Sequence, residues 1–214
     1  MVQELMIEWI KFQKVYTYLE SIFTQSEMKK PLAVEVKDFE DNVNKIYKTN
    51  VKKIVTVQSI TQLLKQKLIE SYLGQFRKQN EKLIELNKKI NDFLDSKRET
   101  FPRFYFVAND ELIYILANYD SPTAVQSFVG KMFENINRVD FGDDHRSLSF
   151  NQIISREGET MSLKGPINIK LEAVEKWMKK LEDYMKESIF KSLKEGYKNY
   201  DPQNIKQWYL KNPA

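Results

Sequence analysis

The chain has 214 residues, with 34 Lys and Arg against 30 Asp and Glu, one histidine and no cysteine, so its formal net charge is only +4. Without cysteine there are no disulfides and no thiolate metal sites, and the six scattered glycines form neither Gly-x-x-x-x-Gly-Lys-Ser/Thr nor Gly-x-Gly-x-x-Gly, which removes the familiar phosphate-cradling loops. Hydrophobic residues reach 42%, enough for a real core, while Lys and Glu alternate at helical spacing instead of gathering into the one-sided basic face of a nucleic-acid module.

No apolar run approaches the roughly 18 residues of a membrane span, and the N-terminus lacks the basic-then-apolar pattern of a secretory signal. The expectation is a folded intracellular chain that neither enters nor crosses a membrane by itself. Helical periodicity from the first residues, and a stop at Asn212-Pro213-Ala214 after another helical pattern, read as a fragment of a longer chain.

Over residues 3 to 24, Leu5, Trp9, Phe12, Tyr16, Leu19, Ile22 and Phe23 fall on one broad helical face. Pro31 interrupts, and a second helix is expected over about 34 to 50 through Val36, Phe39, Val43, Ile46 and Tyr47. From about Ser59 the pattern resumes with Leu63, Leu64, Leu68 and Tyr72 and continues through Phe76, Leu83, Leu86, Ile90, Phe93 and Leu94, with Gly74 as a point of kinking or division. This helix ends at Lys97-Arg98, two cations suited to the negative end of the helix dipole.

The next ten residues carry the most information. Phe101 must be extended before Pro102, and four aromatics, Phe101, Phe104, Tyr105 and Phe106, crowd six positions with Arg103 among them. The expected structure is an extended packing wedge that buries alternate side chains on two faces, with Arg103 pairing to a carboxylate or capping a helix end. A base-stacking platform would need exposed rings beside a basic groove, and the run holds a single cation.

Asn109 is expected to cap a short helix through Leu112, Ile115 and Leu116, and Ser121-Pro122 to open another carrying Val125, Phe128, Val129, Met132, Phe133 and Ile136. Between 138 and 167 the period shortens: Val139 and Phe141, then Leu148, Phe150, Ile153 and Ile154, then Met161 and Leu163, separated by Gly142-Asp143-Asp144 and Glu157-Gly158-Glu159. This predicts a small antiparallel meander whose second turn uses Gly158 in the left-handed conformation. After Pro166 a long helix follows, with a heptad-like stripe of Val174, Trp177, Met178, Leu181, Tyr184, Met185, Ile189 and Leu193, read as internal packing and not as a coiled-coil dimer. Asp201-Pro202 is expected to cap a last helix with Ile205, Trp208 and Leu210.

Catalytic chemistry is sparse. His145 sits in Asp143-Asp144-His145-Arg146, where turn formation explains the aspartates and no second imidazole stands nearby in sequence, and Ser155 and Ser188 likewise have no neighbouring histidine. The three tryptophans, Trp9, Trp177 and Trp208, read first as packing residues and second as partner anchors. The segment is therefore expected to lack enzyme activity, catalytic residues, and metal or cofactor sites.

Several landmarks recur together in one known family. The Lys97-Arg98 helix end running into Phe101-Pro102-Arg103-Phe104-Tyr105-Phe106 and then Asn109-Asp110-Glu111-Leu112 resembles the linker region of dynein heavy chains. Upstream, Trp9 and Tyr18-Leu19-Glu20-Ser21-Ile22-Phe23 are similar to the start of the same region; downstream, Ser155-Arg156-Glu157-Gly158-Glu159, Val174-Glu175-Lys176-Trp177 with Leu181-Glu182 and Met185, and Trp208 with Pro213-Ala214 resemble later landmarks in the same order. Val107-Ala108 departs from the pair many members carry, and cytoplasmic and axonemal subclasses both stay open.

The resemblance implies a mainly α fold, an elongated helical bundle or arched rod with a small antiparallel β-meander near residues 138–167. Residues 1–100 would form the N-terminal part of the linker and 101–214 its C-terminal part. It implies a mechanical role, transmitting nucleotide-driven change of an AAA+ ring to the tail of a microtubule-based motor. ATP and Mg would reside in the ring, and none in this segment. Partners would be the ring of the same heavy chain, the tail and its associated chains, and microtubules only through the parent motor, with no direct nucleic acid or membrane. Location would be the cytoplasm and cytoskeleton, with the axoneme of cilium or flagellum included. The implied structural joint is Arg98, Phe101, Pro102, Arg103, Phe104, Tyr105 and Phe106, and the hairpin turn Glu157, Gly158 and Glu159. The competing class is a helical scaffold or adaptor that binds partner helices and belongs to no motor.

Overall fold

The structure, a computed structural model, describes residues 1–25, 29, 32–56, 68–142 and 148–211, the side chains of 54, 55 and 211 aside. Pro31, Ser59, Leu63, Leu64, the Asp143-Asp144-His145 turn and Asn212-Pro213-Ala214 lie outside the described residues. The fold is mainly α with a small antiparallel sheet, as the periodicities require, and it divides into two compact units, Met1–Ser96 and Lys97–Ala214.

In the first unit α1 spans Val2–Phe23, α2 Ala33–Phe39 and α3 Lys45–Thr56, and α4, Leu68–Thr100, supplies all but its last turn. The face predicted for α1 is the buried one: Phe12, Tyr16, Leu19, Ile22 and Phe23 lie in the core. Its rings interlock with those of its neighbours. Trp9 stacks on Phe76 at 5.4 Å, Phe12 meets Phe76 edge-on at 5.5 Å, and Phe39 sits 5.1 Å from Phe23 and 5.6 Å from Tyr16. Polar ties fix the register of these surfaces. The Asn80 amide donates to the Glu8 carboxylate at 2.8 Å, Asn50 donates to Gln75 at 2.7 Å, and Lys82 pairs with Asp38 at 2.8 Å.

Two expectations change here. Gly74 does not divide α4, which runs unbroken through it, because the tertiary burial of Tyr72, Leu73 and Phe76 outweighs one poor helix former. Between α2 and α3, Glu40–Asn44 forms a π-helical turn, with the Lys45 amide donating to the Glu40 carbonyl. One extra residue in the turn rotates the pattern, so that Ile46, expected in the core, is 40% exposed while Asn44 is buried. Asn44 is satisfied there: its Oδ1 lies 2.7 Å from the Tyr16 hydroxyl and its Nδ2 donates to Glu40 at 2.8 Å. Burial and the Glu20 carboxylate 2.9 Å away push the Tyr16 phenol well above its ordinary value, so it stays a donor.

The second unit begins with the last turn of α4 and a 3₁₀ turn over Pro102–Phe106, followed by α5, Asn109–Ala117, and α6, Pro122–Met132. Asn109 is not the cap of α5. Ala108 holds that position, and the Asn109 side chain accepts a 2.7 Å hydrogen bond from the Arg98 guanidinium, a stronger partner than a backbone amide. Ser121 does precede Pro122 at the start of α6, although its hydroxyl makes no capping bond. The α6 helix ends four residues before Ile136, which opens the sheet; Phe133 turns extended and both residues remain buried, a spacing that helix and turn share.

Strands β1 (Ile136–Asp140), β2 (Ser149–Ser155) and β3 (Thr160–Asn168) form a three-stranded antiparallel meander in that order. Pro166, which lacks an amide for the ladder, falls where the β2–β3 register jumps from Phe150↔Ile167 to Gln152↔Ser162. Both outer edges are tied to helices. The Gln126 amide of α6 donates to the Val139 carbonyl at 2.6 Å and accepts from the Val139 amide at 3.0 Å, standing in for a strand partner. On the far edge Ser188 donates to the Ser162 carbonyl at 3.1 Å.

The core centres on Trp177 of α7, Val174–Lys198, which packs 6.2 Å from Phe128 of α6 and 6.3 Å from Phe150 of β2. The last helix, α8, covers Ile205–Lys211. Asp201-Pro202 does not cap it directly: the Asp201 carboxylate accepts from the Gln203 amide, making a turn that precedes the helix.

Candidate functional site

The joint predicted at Arg98–Phe106 is tighter than an extended strand. Phe101 is extended, with φ −133° and ψ 93°, as its place before proline demands, and Pro102 then starts the 3₁₀ turn. A 3₁₀ turn repeats every three residues, so burial follows that period: Phe101, Phe104 and Val107 are buried. Tyr105 and Phe106 are 63% and 71% exposed, which corrects the expectation that all four aromatics pack on alternating faces. Phe101 and Phe104 meet edge to face at 5.0 Å, and Phe133 stands 6.3 Å from Phe101.

Two arginines tie this turn down. Arg98, nearly buried, reaches forward from the end of α4 to the Val107 carbonyl at 3.3 Å and to Asn109, and its guanidinium lies 5.7 Å from the Tyr105 ring centroid. Arg103 does two jobs. It donates at 3.1 Å to the carbonyl of Met132, the last residue of α6, and it lies 3.6 Å from the Glu182 carboxylate on α7, with Phe133 4.8 Å beneath its guanidinium. A hydrogen bond from Lys186, the nearby charges of Lys179 and Arg103, and Lys186's own charge hold the Glu182 carboxyl below its usual range against the cost of its burial. Beside it, Lys97 of the last α4 turn pairs at 2.6 Å with the buried Glu175 of α7. Sequence could raise a carboxylate partner for Arg103 but had no local pattern that pointed to Glu182.

At the hairpin, Gly158 has φ +88°, the left-handed conformation its position calls for, and Glu157 and Glu159 flank it in solvent. The Ser155 hydroxyl accepts from the Glu159 amide and Ser188 is the edge tie to β3, so each serine is engaged in structure. Among the described residues no group of three His, Cys, Asp or Glu could hold a metal ion, and no helix is long and apolar enough to cross a membrane.

The stripe on α7 is internal only at its start. Val174, Trp177, Met178 and Leu181 are buried, whereas Ile189 and Leu193, expected in the same packing, are 48% and 66% exposed. They line an open apolar groove of about 1850 Å³ together with Met161 and Leu163 of β3, Met185 and Trp208. The sheet is shorter than the helix, so the face outruns its partner. Phe190 and Tyr197, apolar and outside the heptad stripe, were the sequence signal for this second surface.

Comparison with known proteins decides the family. The model for "Dynein heavy chain, N-terminal region 2" matches residues 1–196. The chain belongs to the dynein heavy chain N-terminal region 2 family. Within it, mouse and human dynein axonemal heavy chain 1 are each 32% identical over 99% of the chain, and the Chlamydomonas reinhardtii dynein-1-alpha heavy chain of the flagellar inner arm I1 complex is 31% identical over 95%. The chain spans only 5%, 5% and 4% of those heavy chains respectively, so this dynein region is a small part of what its relatives contain.

Proposed function

We propose that this segment is a mechanical linker of a dynein heavy chain, passing nucleotide-driven change of an AAA+ ring to the tail of a microtubule-based motor. Residues 1–100 and 101–214 then serve as the N-terminal and C-terminal parts of that linker. The observation that carries the reading is the tie at Arg103, where one side chain joins the turn after α4 to the end of α6 and to α7. Buried rings beneath it resist shear because close-packed interiors deform little. Family membership supplies the motor context. In this reading the ring holds the ATP and Mg, and the partners are the ring, the tail and its associated chains. Neither nucleic acid nor membrane is a direct partner, and microtubules are reached only through the parent motor. The axonemal and flagellar relatives favour the cytoskeleton of a cilium or flagellum as its place.

The groove beside β3 favours a second reading, a scaffold role within the heavy chain in which α7 receives a partner helix. The motor role predicts a reading frame beyond Ala214 that continues into an AAA+ module bearing Gly-x-x-x-x-Gly-Lys-Ser/Thr, and a frame without it ends that role. The purified 214-residue chain should show no ATP turnover of its own; turnover abolished by His145→Ala would make the segment an enzyme.

A further inference from the structure

Two carboxylates of α7 receive two cations of the joint. Lys97, in the last turn of α4, lies 2.6 Å from Glu175, and Arg103, in the 3₁₀ turn, lies 3.6 Å from Glu182. Glu175 and Glu182 stand seven residues apart, close to two full turns, so they share one face of α7 about 10 Å apart along its axis. Neither is a solvated surface group: Glu175 is buried, and the Glu182 side chain is 15% exposed. Glu175 has the smaller set of partners. Its Oε1 accepts from Lys97 and its Oε2 is buried with no hydrogen-bond partner, whereas Glu182 also takes Lys179 and Lys186. The helix ends favour the pairing at Glu175, since an anion suits the first turn of α7 and a cation the last turn of α4.

We propose that Glu175 and Glu182 form a two-point seat for the joint, with Glu175 the positioning residue that fixes the end of α4 on α7. A single ionic contact is a pivot about which the turn can swing. A second contact, about 10 Å further along the same helix, removes that freedom. The first point is one-sided in its chemistry. Lys97 keeps partial access to water and tolerates the loss of its partner, but Glu175 without Lys97 is a buried charge with neither oxygen answered by a cation. The seat extends the linker reading above, and its test needs no motor, so a failed seat and a failed motor role appear in different measurements.

The Phe101 amide donates to the Lys97 carbonyl at 3.0 Å and closes the last turn of α4, so its hydrogen exchange in the 214-residue chain reports whether that turn is seated. The Ile169 amide, bonded to the Leu148 carbonyl at 2.9 Å, serves as the reference. Lys97→Met strands the buried carboxylate and should speed exchange at Phe101 by at least about tenfold over the reference. Glu175→Gln should speed it only a few-fold, and the double variant should match Glu175→Gln alone, because no buried charge is left to answer. Equal effects of the two single variants, additive losses in the double, or an Ile169 amide that quickens as much as Phe101 each overturn the role of Glu175. Should Lys97→Met fail to fold, the double variant decides: it should fold with the exchange of Glu175→Gln, and its failure to fold rejects the proposal. The second point has its own readout at the Phe104 amide, bonded to the Phe101 carbonyl at 3.0 Å. Arg103→Ala and Glu175→Gln together should quicken it by more than the product of their separate effects, and a simple product rejects the two-point seat.

Discussion

Phe104 and Phe106 stand two positions apart in one aromatic run, and the 3₁₀ period assigns them opposite fates. Phe104 is fully buried against Phe101, so Phe104→Ala should cost about 3–5 kcal/mol of stability, the range for deleting a core ring. Phe106→Ala should stay within about 0.5 kcal/mol, because its ring is already mostly in water. Urea unfolding of the two variants checks the contrast, and equal losses would mean that the turn is not the one described. Aromatic density and the proline were legible in the sequence and located the joint; a period of three could not be read from them, since an extended run would bury Phe104 and Phe106 alike. Glu182 was beyond reach for another reason: its link to Arg103 exists only in the tertiary fold. Its carboxyl titrates below the ordinary value of 4.5, chiefly through Lys186, so its stabilising effect is complete above 4.5 and fades as pH falls through the lower folded value. Glu182→Gln should therefore lower the melting temperature at neutral pH and lose that difference in acid. A difference that persists unchanged in acid would show that the charge is not what matters.

Among the elements, those with a strong period were legible and those with a defect in the period were not. The buried side chains of α1 are ones its sequence names, and the meander falls where alternation replaces the helical repeat. The π turn escaped because Val43 and Asn44 are adjacent, and only the fold decides which of the next residues turns inward. Gly74 misled for the opposite reason, since a helix breaker by composition is carried by the burial around it. Its position is exposed, and a Cβ there would meet nothing within 4 Å. Gly74→Ala should therefore stabilise the chain by about 0.5–1 kcal/mol, the difference in helix propensity. A shift of the urea midpoint to higher concentration at constant slope is the expected result; destabilisation would show that α4 bends at that point after all.

For the whole molecule, the main features are two compact units, a joint in the opening turns of the second, and a long helix whose outer half lines an open groove. The family assignment rests on 196 matched residues, and the landmark order that suggested it runs through both units. The proposed mechanical function draws on three of these parts: long helices, a turn packed on buried rings, and a family whose named members are dynein heavy chains. Arg103 is the residue through which this claim is most exposed to test, because it lies partly at the surface and can be removed with less damage than Phe104. The decisive measurement is microtubule gliding by the parent heavy chain with Arg103→Ala, scored beside its microtubule-stimulated ATPase. A force-transmitting joint predicts slower gliding with ATP turnover retained, and gliding and turnover both at the unmodified level would contradict it.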